Sequence, residues 1–249
     1  MSKTRMVAIL LFLLSPIPGY SQAPQTTVLD SVYSDPQASR GQNVYQAACA
    51  SCHGDALEGV SAPELTGNRF IDRWREGMLD GIYNFIRQRM PLGRSPNSNT
   101  ISDKDYIDLV TFILKSNGYP AGTNELVPDV LPSVRFVGKS GPRPVPDGAL
   151  VITVGCLSEA ADGRWVLLRS TEPARTRSEL SSPADVKVSS AQALGTQVFR
   201  LAELDAVADF KPEDHKGHKM QAKGYIVRQT NADRISLSSM VMLDSVCVP

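Results

Sequence analysis

Cys49-Ala50-Ser51-Cys52-His53 places two thiols and an imidazole within five consecutive positions. Two Cys at this spacing can each form a thioether with one vinyl group of the same porphyrin, and the residue that follows then stands close under the iron. On this reading Cys49 and Cys52 hold a haem covalently, and His53 is an axial iron ligand. Two other chemistries use a Cys-x-x-Cys pair. A zinc site needs further Cys or His at suitable spacing, and residues 38–118 hold none beyond these three. A redox dithiol expects a neighbouring βαβ pattern, whereas a helical pattern precedes this pair.

The second axial ligand should be a downstream Met or His. His215 and His218 lie in a distant strand-like region, so Met78 and Met90 are the local candidates. Met90 is favoured, because Pro91 drives it out of the helical region and lets its thioether turn inward from a loop. Met78 stands at a helix start and reads as a core side chain. Arg69, Arg73, Trp74 and Arg75 carry nitrogen donors that suit haem propionates; the alternative is an exposed charged helix with one packed Trp.

Three short helices must position these groups. Gly41, Val44, Tyr45 and Ala48 share one face of a helix leading into Cys49. Leu79, Ile82, Phe85 and Ile86 line a second helix, over Leu79 to Arg89. A third starts at Ser102, which with Asp105 forms an S-x-x-D cap, and ends at Asn117-Gly118. Its buried stripe is Tyr106, Leu109, Val110 and Ile113. Aromatics are only 6% of the chain, so a helical domain of about 80 residues lacks a large apolar body at its centre.

The termini and the charge bound the setting. Lys3 and Arg5 precede nine apolar residues, Met6 to Leu14, and then Ser15-Pro16-Ile17-Pro18-Gly19. This is the layout of a secretory signal peptide, cleaved after Ser21 or Ala23, and about half the length that spans a bilayer. A periplasmic location without a stable membrane anchor follows, and disulfides are permitted there. With 26 basic and 26 acidic residues, the formal charge is zero, which argues against nucleic acid as a partner.

The chain divides into a signal peptide over 1–23, a disordered lead-in over 24–37, a helical domain over 38–118, a Pro-rich extended linker over 119–147 and a strand-rich domain over 148–249. In the last of these, strands are expected near 149–157, 164–171, 196–202, 219–228 and 234–247, with a helix over 202–210. Five strands in this order resemble a small all-β, OB-like barrel. Cys156 ends the first strand and Cys247 the last, and they are expected to form a disulfide. His215 and His218 read as turn residues rather than metal ligands. Lys216, Lys219 and Lys223 offer a small basic patch.

Residues 38–122 resemble a class I cytochrome c domain. Gly41, Tyr45, Cys49, Cys52, His53, the Met90-Pro91 pair and the closing helix at Tyr106 carry the likeness. It implies an all-α fold holding one covalent haem c, with Gly41 and Tyr45 crossing Tyr106 and Val110. It also implies that Pro63, in the loop after the haem motif, packs near the proximal His53. The segment from Met90 to Gly122 is similar to cytochrome modules that accept electrons from periplasmic quinoprotein dehydrogenases. The expected role is a monohaem electron carrier, not an enzyme, between a dehydrogenase donor and a cytochrome or oxidase acceptor. The alternatives are a haem-based sensor or enzyme, or a binding module whose β domain carries the main role.

Overall fold

The Ser34 hydroxyl accepts from the Gln37 N–H, and Pro36 sits in the first helical turn; together they start α1, Asp35–Ala48. The computed structural model describes residues 26–93 and 101–247, so the signal peptide expected over 1–23 lies outside the described residues. A single turn, α2 (Ala50–His53), carries the second Cys and the His. There follow α3 (Gly67–Trp74), a short strand β1 (Gly77–Met78), α4 (Leu79–Arg89) and α5 (Asp103–Ser116). Ser102 and Asp105 cap α5 reciprocally.

α1 crosses α5 at Gly41, where a Cβ would lie 1.9 Å from the Asp108 carbonyl oxygen. Only a residue without a Cβ permits this approach. One turn on, the rings of Tyr45 and Phe112 are 5.3 Å apart. The crossing therefore centres between Asp108 and Phe112, a stretch that includes Val110, and Tyr106 turns its hydroxyl to Met90 instead.

Two segments read as irregular are built into the helical core. Val28 and Tyr33 are fully buried, so the part of the lead-in described here is ordered by packing. Tyr33 donates to the Tyr119 carbonyl at 2.7 Å, and Gln37 exchanges two 2.8 Å bonds with Leu126. The stretch expected as a free linker likewise buries Leu126, Leu131, Val134, Phe136 and Val137. Its Pro residues shape a 3₁₀ turn, Pro128–Ser133, which leads into β2, Arg135–Phe136. Apolar burial, invisible in local composition, overrides the linker signal.

The remaining strands are β3 (Leu150–Glu159), β4 (Trp165–Ser170) and β5 (Ala174–Arg175), followed after a helix, α6 (Pro183–Ala191), by β6 (Gln197–Ala202), β7 (Lys219–Val227) and β8 (Arg234–Asp244). β3, β4 and β6 pair antiparallel in sequence, β6 pairs parallel with β8, β8 antiparallel with β7, and β7 returns antiparallel to β3. The five strands thus close on themselves around Phe199, Leu201, Met220, Ala222, Ile235 and Leu237. Alternate residues face inward, as the two-residue strand period requires.

The expectation of an all-β second part needs two corrections. α6 was not anticipated, although Ser182 and Asp185 form the same capping box as Ser102 and Asp105. The helix expected over 202–210 is absent. Glu203 and Asp209 have positive φ, and only 3₁₀ turns at Leu204–Ala206 and Pro212–His215 form there. β5 also extends the sheet away from the ring, pairing with β3 on one side and with β1 of the helical half on the other. β1 in turn pairs with β2, giving a mixed sheet of eight strands among the described residues.

Candidate functional site

The turn α2 ends at Gly54, whose φ of 83° lets the chain reverse directly after His53. Tyr45, one turn before Cys49, donates to the Gly54 carbonyl at 2.5 Å. Burial pushes its phenol up to about 12, so it remains a donor. The loop then folds back, and the N–H groups of Val60, Ser61 and Ala62 approach the Cys52 carbonyl at 3.0–3.1 Å. This return brings the Pro63 carbonyl to 2.7 Å from His53 Nδ1. A carbonyl only accepts, so Nδ1 carries the proton and Nε2 keeps its lone pair. That is the outer-sphere arrangement that orients a metal-bound imidazole.

His53 and Cys49 face a cavity of about 300 Å³ shared with Pro63, Arg69, Arg73, Trp74 and Met90. Its remaining walls are mainly Phe70, Ile82, Phe85, Ile86, Leu109 and Ile113, contributed by α3, α4 and α5. Met90 follows the last residue of α4 in extended conformation, at a cis bond to Pro91. Met78, the last residue of β1, instead lines a different cleft. The structure therefore brings Cys49, His53 and Met90 to one apolar chamber and leaves Met78 out of it.

Cys49 and Cys52 are free thiols. Burial, then the neighbouring Cys52, pushes the Cys49 thiol up to about 11, so the thiol carries its proton at neutral pH. No group of three or more His, Cys, Asp and Glu able to hold a metal ion occurs among the described residues. A zinc half-site has no completing ligands there. Cys52 is exposed and does not line the chamber; an apolar chamber edged by Cys49, a second unpaired thiol three positions on and an imidazole with one nitrogen already bonded fit a covalently attached porphyrin.

The four proposed propionate donors separate. Trp74 is buried in the chamber wall, and Arg73 lies over the rings of Trp74 and Phe85. Arg69 also lines the chamber but is largely exposed and pairs with Glu64 at 3.2 Å. Arg75 does not line it and pairs with Asp72 at 3.0 Å. Sequence reasoning missed Phe70. Its signal was the Thr66-Gly67 start of α3, with Phe70 and Trp74 four apart on one face.

Cys156 and Cys247 are disulfide-bonded, 91 positions apart. His215 and His218 approach each other through Nδ1 at 3.3 Å, and His215 stacks on Phe210. The suggested basic patch does not form. Lys223 is fully buried and bonds Asp185 at 2.8 Å, and Lys219 is spent on the carbonyls of Ser190 and Gln192. No helix among the described residues is long and apolar enough to cross a membrane.

A family model and a sequence relative point the same way. The family model described as "Cytochrome C oxidase, cbb3-type, subunit III" matches residues 36–113. Cytochrome c-551 of Bacillus subtilis (strain 168) is 31% identical over 88 residues, which is 35% of this chain and 77% of that protein. A crystal structure of the sulfane dehydrogenase SoxCD from Paracoccus pantotrophus aligns with a TM-score of 0.34 and 24% identity, covering 51% of this chain and 71% of that one.

Proposed function

The chain belongs to the cytochrome c family, and from that premise we propose that it is a periplasmic carrier of single electrons between a dehydrogenase and a downstream cytochrome or oxidase. As a family member it holds haem c covalently, and the iron of that group supplies a one-electron redox couple. Cys49 and Cys52 are the attachment thiols and His53 and Met90 the axial ligands in this reading. The observation that carries it is the 2.7 Å contact between His53 Nδ1 and the Pro63 carbonyl, beside a chamber that also reaches Met90. The Pro63 carbonyl fixes the ring tautomer and its rotation. Phe70, Ile82, Phe85 and Ile86 keep water from the ligand pair. With His53 and Met90 both holding the iron, no position would be open for a substrate, which would favour transfer over catalysis.

The C-terminal ring supports a second element of the proposal. We read its strand order, with one parallel pair between the third and fifth strands of the ring, as OB-like. We read it as an adaptor that docks a redox partner.

Absorption spectroscopy of the oxidised holoprotein tests the ligand set. The weak far-red Met–iron band should be present in the wild type, lost in Met90→Ala and kept in Met78→Ala. Rapid mixing with quinoprotein dehydrogenases and with terminal oxidases tests the carrier role. Absence of any haem redox change with every donor and acceptor would remove it.

A further inference from the structure

A second cavity, of about 520 Å³, lies between the helical half and the ring. Trp74 and Arg73 are walls of both this cleft and the chamber described above. On the cleft side, Arg177 places its guanidinium carbon 3.8 Å from the Trp74 ring centroid, and its Nη2 donates to the Arg73 carbonyl at 2.9 Å. Arg175, from β5, donates Nη1 to the carbonyls of Asp72 and Arg75. Three guanidinium groups are therefore gathered at one end of the cleft. None of them forms an ion pair with a carboxylate among the described residues.

Four other charged groups line the cleft, three of them carboxylates. Arg135 pairs with Glu76, and Asp185 with Lys223. Glu172 accepts from Gln197. Asp80 is held above the usual carboxylate range by burial and by Asp185. Partial desolvation at the cleft, then repulsion from Arg73 and Arg175, pushes the otherwise exposed Arg177 down to about 10. Like charges crowded in this way carry an electrostatic cost that an anion between them would relieve.

We propose that Arg73, Arg175 and Arg177 form a receptor for a small multivalent oxyanion that enters the cleft from solution. A guanidinium has five N–H donors, and each of Arg175 and Arg177 commits one nitrogen to backbone carbonyls. The rest can present forked pairs to sulfate, phosphate or carboxylate oxygens. The Trp74 ring lies against the Arg177 guanidinium and attracts it by a cation–π contact.

Isothermal calorimetry on the holoprotein tests this, with sodium sulfate and sodium citrate as probes against sodium chloride at matched ionic strength. Wild type should bind one sulfate or citrate saturably. Arg177→Gln, at an exposed position, should bind about tenfold more weakly, and Arg177→Lys in between. Arg164→Gln, whose side chain pairs with Asp162 and does not line the cleft, should match wild type. Equal affinity in wild type and Arg177→Gln, or no saturable heat from wild type, would overturn the proposal. If heat is absent while Arg177→Gln still shifts the haem potential, the cluster serves the haem's own carboxylates, and the solution-anion receptor is likewise overturned.

Discussion

The Tyr106 hydroxyl donates to the Met90 carbonyl oxygen at 3.0 Å. It ties the residue after α4 to the second turn of α5. Met90 stands where α4 ends, and this bond fixes its backbone against α5. Tyr106→Phe keeps the ring packing and removes the bond. A neutral hydrogen bond contributes about 1 kcal/mol, so with Met90 as the proposed iron ligand, added imidazole should displace its thioether at roughly fivefold lower concentration. An imidazole titration followed by the far-red band checks this. An unchanged midpoint would show that the bond does not hold the ligand loop.

The contact of Gly41 with the α5 backbone predicts a large effect from one methyl group. A Cβ there would lie 1.9 Å from the Asp108 carbonyl oxygen and 2.9 Å from the Leu109 nitrogen. Neither atom can rotate away, so the helices must separate. Gly41→Ala should cost about 3 kcal/mol, the upper end of ordinary overpacking. Gly81, in the first turn of α4, has no atom within 4 Å of a built Cβ. Gly81→Ala should instead stabilise by about 0.5–1 kcal/mol, through lower backbone entropy in the unfolded chain. Guanidinium denaturation of the two variants beside wild type distinguishes the cases.

These contrasts mark what local sequence reveals. Cys49, Cys52 and His53 are legible because one turn of helix gathers them, and the Met90-Pro91 pair marks a helix end by backbone sterics alone. α4 and α5 are legible from their apolar stripes. The order of residues 26–34 and 119–137 is not, since it comes from partners some 86 to 89 positions away, such as Tyr33 with Tyr119 and Gln37 with Leu126. Six Pro between 119 and 147 resemble a linker until those contacts exist. α6 was readable from its Ser182–Asp185 cap but has no apolar stripe, and periodicity misses such a helix.

Asp108 predicts an acid-sensitive crossing. Its side chain is 2% exposed and lies 2.8 Å from both Arg40 Nε and Lys104 Nζ. Burial opposes its ionisation, but the bonds from Arg40, Lys104 and Gln37 outweigh burial and hold the carboxyl below its ordinary 3.8. A carboxyl lowered in the folded state contributes stability that is present above its unfolded value. That contribution is lost as pH falls through the folded value. The stability gap between wild type and Asp108→Asn should therefore be constant from pH 7 to about 5 and should close below about 4. Denaturation curves at pH 7, 5 and 3 measure it. A gap that does not narrow at pH 3 would show that shape, not charge, makes Asp108 important.

Glu76 should be the most sensitive position joining the two halves. Its side chain is fully buried, and Arg135 beside it is 9% exposed. Oε2 lies 3.0 Å from Arg135 Nε without hydrogen-bond alignment, so the attraction is mainly coulombic. Oε1 accepts from the Arg143 N–H at 3.0 Å, and the Glu76 carbonyl accepts from the Arg175 N–H at 2.6 Å. One residue thus holds β2, the chain after it and β5. Glu76→Gln preserves the shape and the Arg143 bond but leaves the Arg135 charge buried and unpaired, which costs about 3–5 kcal/mol. Arg135→Met strands the Glu76 charge in the same way. The double substitution Glu76→Gln with Arg135→Met removes both charges, so its loss should be well below the sum of the two single losses. Additive losses would mean that the pair contributes packing alone.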